Sequence, residues 1–394
     1  MEKKKKEKFA KKESKEKRKD PKKQDRAMGN FPLWKLPLLL LCFAVLAILL
    51  APAARSLFVS RRENFAAAAS HGSDEETKFP RRVYTYWHRA DDPVAQVFLE
   101  FHRRSVEQHA PGWDLVFLHG DNVHEYVPQR IIDMFRDCAH DPTRFSDALR
   151  MAVLWKHGGV WMDMTVLVLR PETVLEAFRR RTLETRADAL VFEFAELTED
   201  RRHPYLENWF LMAPRGSPFV GDVLRDFLTA KHVGFAKYRE TVLRPALSLK
   251  NTLGDDPHEA SAYLIQHAIA QHLLVTRGYV DVEGPAHFAA KENRPARAGA
   301  ALAGAALAGA ALAGAARPYA LVIKQASESM FRLQISVNWD RDAIVKRLTE
   351  TPLRELADAA GLYAVKLVGT DRKALTQRED GLQKLAARLR EFQF

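Results

Sequence analysis

Four residues between positions 141 and 169 could do chemistry together. Asp147 and Arg150 stand three residues apart in a segment with helical spacing, so their side chains project from one helix face. Asp163 directly follows a short apolar run that predicts a buried strand, and Thr165 comes two residues later. Carboxylate and hydroxyl oxygens suit a hard cation, which could bridge the protein to a diphosphate. The pattern therefore indicates a site for a phosphorylated ligand.

The elements that position these residues have marked boundaries. Asp141 and Pro142 are typical of a helix start, and the glycines at 158–159 are typical of a helix end. The sequence thus predicts a helix over residues 143–157, followed by a strand that enters the core and ends at Asp163. In open α/β sheets ligands bind beyond the carboxyl ends of strands, where this acid would stand.

These residues resemble the donor site of glycosyltransferases that have an Asp-x-Asp sugar-binding region. The resemblance is carried by Ser146-Asp147, Arg150, Gly158-Gly159 and Asp163-Met164-Thr165. The group includes the capsular polysaccharide synthesis proteins, the yeast-type initiating mannosyltransferases and, more distantly, the clostridial glucosylating toxins. It implies a GT-A fold, which is an α/β architecture with a Rossmann-like, mostly parallel central sheet and flanking helices. It also implies a UDP- or GDP-sugar donor, Mn²⁺ or Mg²⁺, and retention of anomeric configuration.

The same resemblance implies a role for each residue. Asp147, with Ser146 and Gly159 beside it in the donor site, would bind hydroxyls of the ribose or the sugar. Arg150 would reach the donor sugar or its diphosphate and act in catalysis. Asp163 would be the acid on the metal side and the second catalytic residue.

Thr165 departs from the pattern, because the second acid of the motif would stand there. A hydroxyl can still ligate a metal, but we expect the metal affinity to be lower. A catalytically inactive relative that binds a nucleotide sugar or a glycan is therefore the alternative. An ordinary ion pair on a solvated helix surface is the alternative for Asp147 and Arg150, and it would contribute a few tenths of a kcal/mol.

Four other positions are candidates through the same resemblance. Trp87 and His88 end the first predicted strand and are expected to contact the donor base; a core aromatic beside a satisfied histidine is the alternative. Asn208 would act near donor and acceptor, unless it is only a turn or cap residue. Lys324, in a late strand, would approach the diphosphate, unless it is an exposed strand-end lysine.

The net charge of +11 is concentrated at the start of the chain. Residues 1–26 hold 14 Lys/Arg against 6 Asp/Glu, which leaves 47 against 44 in the remainder. Only Phe9 interleaves these lysines, so stacking on nucleic-acid bases is not indicated, and we expect no nucleic-acid partner. Residues 1–30 are predicted to be a disordered cytosolic tail.

A membrane anchor is predicted over residues 31–58. Within it, 19 residues from Leu36 to Ala54 carry no charge and would span roughly 28 Å as a helix, close to the thickness of a bilayer core. The basic tail outnumbers the arginines that follow, which predicts a single-pass type II protein with its bulk in the lumen of the Golgi or ER. A cleaved signal peptide and a buried core helix are the alternatives.

A stem at 59–78 and a glycosyltransferase domain at 79–356 follow in the predicted organisation. Residues 296–317 form an Ala/Gly low-complexity insertion, and 357–394 a helical extension without identified chemistry. No glycine-rich dinucleotide fingerprint follows the first predicted strand, which argues against a dehydrogenase. The expected reaction is hexose transfer to a glycan, glycoprotein or polysaccharide acceptor. A glycoside hydrolase would need an acid opposite Glu193 and Glu196, and the sequence places none there.

Overall fold

The computed structural model describes residues 78–136, 142–198, 200, 203–247, 264–283, 317–360, 362–378 and 380–394. All of them lie in one compact unit that spans residues 69–394. The predicted tail, anchor, Ala/Gly insertion and both cysteines lie outside the described residues, as does all but one residue of the stem. Within the described part of the chain, no helix has the length and apolarity that crossing a membrane requires.

Nine strands occur in the described residues. They are β1 Arg82–Tyr86, β2 Asp114–Leu118, β3 Gly159–Met162, β4 Val166–Val168, β5 Ala189–Glu193, β6 Leu206–Ala213, β7 Tyr279–Asp281, β8 Tyr319–Gln325 and β9 Ala364–Lys366.

Seven of these strands form a central sheet in the order β2-β1-β3-β6-β5-β8-β7. The strand β6 runs antiparallel to its neighbours β3 and β5, and every other pair in the sheet is parallel. The carboxyl ends of six strands therefore share one edge with the start of β6. The sheet is mixed α/β and mostly parallel with flanking helices, which fits the predicted GT-A class.

Thirteen α-helices occur in the described residues, and several of them flank this sheet. They are α1 Pro93–Arg103, α2 Val123–Tyr126, α3 Gln129–Met134, α4 Pro142–His157, α5 Phe178–Glu184, α6 Pro218–Val233, α7 Phe235–Tyr238, α8 Ile265–Arg277, α9 Arg332–Ser336, α10 Arg341–Glu350, α11 Leu353–Ala360, α12 Gly369–Gln377 and α13 Gly381–Glu391.

Two hydrophobic clusters cover the two faces of the central sheet because strand residues alternate between them. Tyr84 and Trp161 pack on one face with α4, α6 and α8. Val83 and Val160 pack on the other face with the segment around Val174 and with α5. A third cluster joins α1 and β4 to the helices after residue 340.

A second sheet consists of β4 and β9, which pair antiparallel with Val166 opposite Lys366. The segment 357–394 therefore pairs with the strand that follows the predicted acidic motif. The predicted boundary at residue 356 falls inside α11. This segment completes a sheet and a hydrophobic cluster with earlier parts of the chain.

Local predictions around the site hold, and one helix differs. The helix predicted for 143–157 runs from Pro142 to His157, and the strand after it is β3. The sequence also predicts a helix over residues 126–138, but the helix there begins at Gln129, because Val127 and Pro128 adopt extended backbone after α2.

Candidate active site

Asp147 and Arg150 form a buried ion pair on α4. The Nη1 of Arg150 donates to Oδ1 of Asp147 at 2.5 Å, and each side chain is only 4% exposed. The two residues are one helical turn apart, so both point from α4 toward the carboxyl edge of the sheet. The alternative of an ion pair on a solvated surface is therefore wrong.

Asn208 and Gln266 extend this pair into a hydrogen-bonded network. The Nδ2 of Asn208 donates to Asp147 Oδ1 at 3.2 Å and to Gln266 Oε1 at 2.9 Å. Gln266, on α8, donates to the Asp147 carbonyl at 2.7 Å and accepts from Arg150 at 3.2 Å. Asn208 lies inside β6, whose start shares an edge with the end of β3, so it is not a turn or cap residue.

Asp163 connects to the same network. Its backbone N–H donates to the Trp209 carbonyl at 2.8 Å, and this hydrogen bond holds Asp163 beside β6. Its Oδ1 accepts from Trp161 Nε1 at 3.0 Å and from Arg150 Nη2 at 3.3 Å. Arg150 therefore joins both carboxylates. The Asp163 side chain is 25% exposed, so solvent reaches the network at this residue.

The surroundings shift the pKa values of the two carboxyl groups in opposite directions. Burial alone would raise the pKa of Asp163, but the charges of Lys366 and Arg150, with hydrogen bonds from Lys366 and Trp161, hold that pKa below its usual range. Burial raises the pKa of Asp147, and the charge of Arg150 opposes that rise. Asp163 is therefore an anion compensated by two cationic groups.

Lys366 brings the second cation to Asp163. Its Nζ donates to Asp163 Oδ2 at 2.8 Å and to Thr165 Oγ1 at 3.1 Å. The Thr165 hydroxyl in turn donates to the Leu367 carbonyl at 2.8 Å. The segment 357–394, for which the sequence suggested no chemistry, thus supplies a charged group to the site.

The oxygens around Asp163 do not fit the predicted divalent cation. Mg²⁺ and Mn²⁺ need several oxygen ligands with free lone pairs. Both carboxylate oxygens of Asp163 accept hydrogen bonds from cationic groups, and Thr165 accepts from Lys366. Over the described ranges, no group of three or more His, Cys, Asp and Glu side chains is arranged to hold a metal ion. Metal use stays a prediction from the sequence.

Two predicted donor-binding residues lie elsewhere. Gly159 begins β3, at the end opposite Asp163, with φ of 105°. A Cβ there would stand 2.6 Å from the Arg82 carbonyl oxygen, so this glycine serves close backbone packing. Lys324 lies on β8, where its Nζ binds Glu283 at 2.6 Å, so the structure does not bring it to Asp163.

The remaining candidates lie around the same sheet edge. Ser146 accepts from Arg150 Nη2 at 3.4 Å, at the margin of the network. Trp87 and His88 follow β1, the neighbour of β3. Trp87 is half-buried beneath the Arg372 guanidinium at 5.1 Å, and His88 is exposed. Contact of these two residues with a donor base stays a prediction.

Gln266 and Lys366 are the site residues that sequence reasoning missed. Gln266 is one polar position in a long apolar helical pattern, and a residue at such a position more often has no role in a functional site. A lysine that ends a three-residue strand has no local signal at all, because its partner lies 203 residues earlier. Only the pairing of β9 with β4 identifies it.

The fold fits one class of protein. The mixed α/β, mostly parallel sheet with flanking helices fits the GT-A type of glycosyltransferase, and here it carries an acid after a central strand that is bound to an arginine from the preceding helix. Residues 55–238 match the family model of the capsular polysaccharide synthesis proteins. This match confirms the resemblance indicated by the motifs, supports a glycosyltransferase, and covers Asp147, Arg150, Asp163 and Asn208.

Comparisons with other proteins add little. A solved structure named "PaToxG Glycosyltransferase" aligns with 14% sequence identity over 62% of this chain and 96% of that chain, with a TM-score of 0.24. A similarity of this size supports no conclusion about fold or function. None of the curated proteins compared with the chain matches it.

Proposed function

We propose that the protein is a glycosyltransferase that moves a hexose from a UDP- or GDP-sugar to a glycan, glycoprotein or polysaccharide acceptor. The observation that carries this proposal is the network in which Arg150 joins Asp147 and Asp163, with Asn208 completing it. It lies at the sheet edge where α/β proteins bind ligands, and within the residues that match the capsular family.

In the proposed reaction the bond from the sugar C1 to the β-phosphate oxygen breaks, and the nucleoside diphosphate leaves with the electron pair. Positive charge held in a water-poor site stabilises the developing phosphate charge, and Arg150 supplies it here. The acceptor hydroxyl oxygen bonds to C1, and its proton passes to the departing phosphate oxygen.

Retention of configuration is part of the proposal. Asp147 is bound by Arg150 and Asn208, and Asp163 is bound by Lys366, so neither carboxylate is free to act as a nucleophile. Attack by the acceptor hydroxyl from the face of the leaving group therefore suits this arrangement better than a covalent intermediate.

Membrane anchorage is a further part of the proposal. It is supported by the 19 uncharged residues within 31–58 and by the basic residues that precede them. The catalytic unit would then face the lumen of the Golgi or ER, where glycan and glycoprotein acceptors are found.

A donor screen tests the proposed reaction. The full-length chain is incubated with a panel of UDP- and GDP-hexoses and a glycan acceptor, and products are identified by mass spectrometry. We expect turnover with one donor, and a loss of about 100-fold in Asp163→Asn, because the variant misplaces Arg150. Asp342→Asn, an exposed and distant carboxylate, is the matched control.

Two results would decide against this proposal. Donor binding without transfer, for every donor and acceptor, would identify a catalytically inactive binding relative. Transfer that is unchanged in Asp163→Asn would remove the network from the reaction.

A further inference from the structure

Lys366 occupies a fixed position between the two residues of the acidic motif. Its ammonium lies 2.8 Å from Asp163 Oδ2 and 3.1 Å from Thr165 Oγ1, and its side chain is 9% exposed. A lysine with this burial is uncommon unless it is paired. Its position is therefore a built feature of the molecule.

The backbone around Lys366 holds that position from three sides. Its N–H donates to the Met330 carbonyl at 2.9 Å, and its carbonyl accepts from Gln334 Nε2 at 2.5 Å. The next residue, Leu367, donates to the Thr165 carbonyl at 2.9 Å. The ammonium is thus presented by a paired strand, and little side-chain freedom remains to be lost when a ligand binds.

The charges suggest what this lysine replaces. An Asp-x-Asp site with a divalent cation combines two negative charges and two positive ones. Here Thr165 stands for one acid, and Lys366 contributes one positive charge beside Asp163, so the local balance is again neutral. The missing acid and the added lysine therefore compensate each other.

We propose that Lys366 takes the place of the divalent cation at Asp163 and binds the donor diphosphate through its ammonium. An ammonium has three N–H donors, of which Asp163 and Thr165 accept two. Lys366 lies outside the residues that match the family model, so the match does not assign it this role. The proposal rests on the proposed function and specifies how the same site holds its donor.

Binding measurements with and without chelator test this role. The full-length chain is titrated with UDP-glucose and with GDP-mannose in EDTA and in Mn²⁺, beside Lys366→Met. The control is Lys384→Met, an exposed lysine of the same segment. We expect the wild type and the control to bind one donor in EDTA with a Kd within about 2-fold of that in Mn²⁺. Lys366→Met should bind about 10- to 100-fold more weakly in EDTA, because a charged hydrogen bond is lost.

Rescue by metal separates ligand binding from a structural role. Lys366→Met releases Asp163 Oδ2 and the Thr165 hydroxyl, so Mn²⁺ should restore part of the lost affinity in this variant alone. Lys366→Arg keeps the charge and should retain binding in EDTA to within about 10-fold. If Lys366→Met does not fold, as judged by thermal unfolding, two measurements still test the role of Lys366. They are the wild-type Kd in EDTA compared with that in Mn²⁺, and the binding of Lys366→Arg in EDTA.

Two outcomes overturn this role for Lys366. Donor binding that requires Mn²⁺ in the wild type, or that is equal in Lys366→Met and wild type in EDTA, leaves the proposed function standing and removes the lysine from it. The absence of binding of both nucleotide sugars in every condition, together with no turnover across the donor panel, overturns both proposals together.

Discussion

Asp163 has two sides that are built in different ways. On one side, Arg150 reaches it from the preceding helix and joins it to Asp147, 16 residues earlier in the sequence, and both of these residues are almost fully buried. On the other side, Lys366 reaches it from 203 residues later and stands nearer to solvent. Local periodicity defines the first side, and only tertiary pairing defines the second.

The difference has energetic consequences. A buried ion pair that loses one partner leaves an uncompensated charge, which costs far more than the same change at an exposed pair. The helix side should therefore dominate stability, while the lysine side should dominate the response to ligand. Substitutions on the two sides of Asp163 test that division.

The largest effect is expected from Asp147→Ala. The variant removes one of the two acceptors that Arg150 and Asn208 share and takes from the buried Arg150 its nearest carboxylate, so the free energy of unfolding should fall by about 3–5 kcal/mol, as measured by denaturant titration. Lys366→Met should cost less, because Asp163 keeps its bonds from Arg150 and Trp161.

Asp342→Ala is the control for this comparison. Its carboxylate is 84% exposed and pairs with Arg378, so its removal should change stability by about 0–1 kcal/mol. A larger loss in Lys366→Met than in Asp147→Ala would reverse the division between the two sides.

A smaller, pH-dependent effect is expected from His102. This buried histidine contacts the Met164 carbonyl through Nε2 at 2.7 Å, next to Asp163. Burial lowers its pKa to about 4, against the opposing effect of the Met164 carbonyl. In the unfolded chain His102 takes up a proton near pH 6.5, and in the folded chain it does not. Its contribution to the free energy of unfolding is therefore fully present above pH 6.5 and is lost as the pH falls from there toward 4.

The expected loss from this histidine between pH 7 and pH 5 is about 2 kcal/mol. Urea unfolding at the two pH values, compared with His102→Gln, measures it, because the glutamine amide can donate to the same carbonyl without titrating. An identical pH dependence in the variant would show that His102 is not the group responsible.

The smallest effect is expected where the last helix meets α1. Arg104 donates to the carbonyls of Leu389, Arg390 and Phe392 at 2.8 to 2.9 Å and so binds the end of α13. Arg104→Ala should lower the free energy of unfolding by about 1–2 kcal/mol, since the bonds are partly exposed. Arg103→Ala, the exposed neighbour, should have little effect in the same assay.

Sequence reasoning predicted the helix side of the site because every signal there is local. The helix from 142 to 157, the strand after it and the shared face of Asp147 and Arg150 follow from capping residues and periodicity. Asn208 was also a candidate, because the sequence resembles the family there. The antiparallel direction of β6 explains how Asn208, near the start of that strand, reaches the same edge of the sheet.

The lysine side of the site was not predicted from the sequence. The sequence pointed to Lys324, in a longer and clearer strand, whereas Glu283 binds that side chain. The lysine that contacts Asp163 ends a strand of three residues, and strands this short have almost no pattern. Strand pairing determines whether Lys324 or Lys366 reaches Asp163. The properties of single residues do not encode that pairing.

The pairing of β4 with β9 also determines when the site can form during translation. Residues 142–163 leave the ribosome long before Lys366, and until Lys366 is in place Asp163 lacks one of its two cations. The nascent chain must add about two hundred further residues before Lys366 arrives, and contacts of such sequence separation form slowly. A partly synthesised chain would therefore carry an Asp163 carboxylate that lacks the ion pair it has in the finished protein.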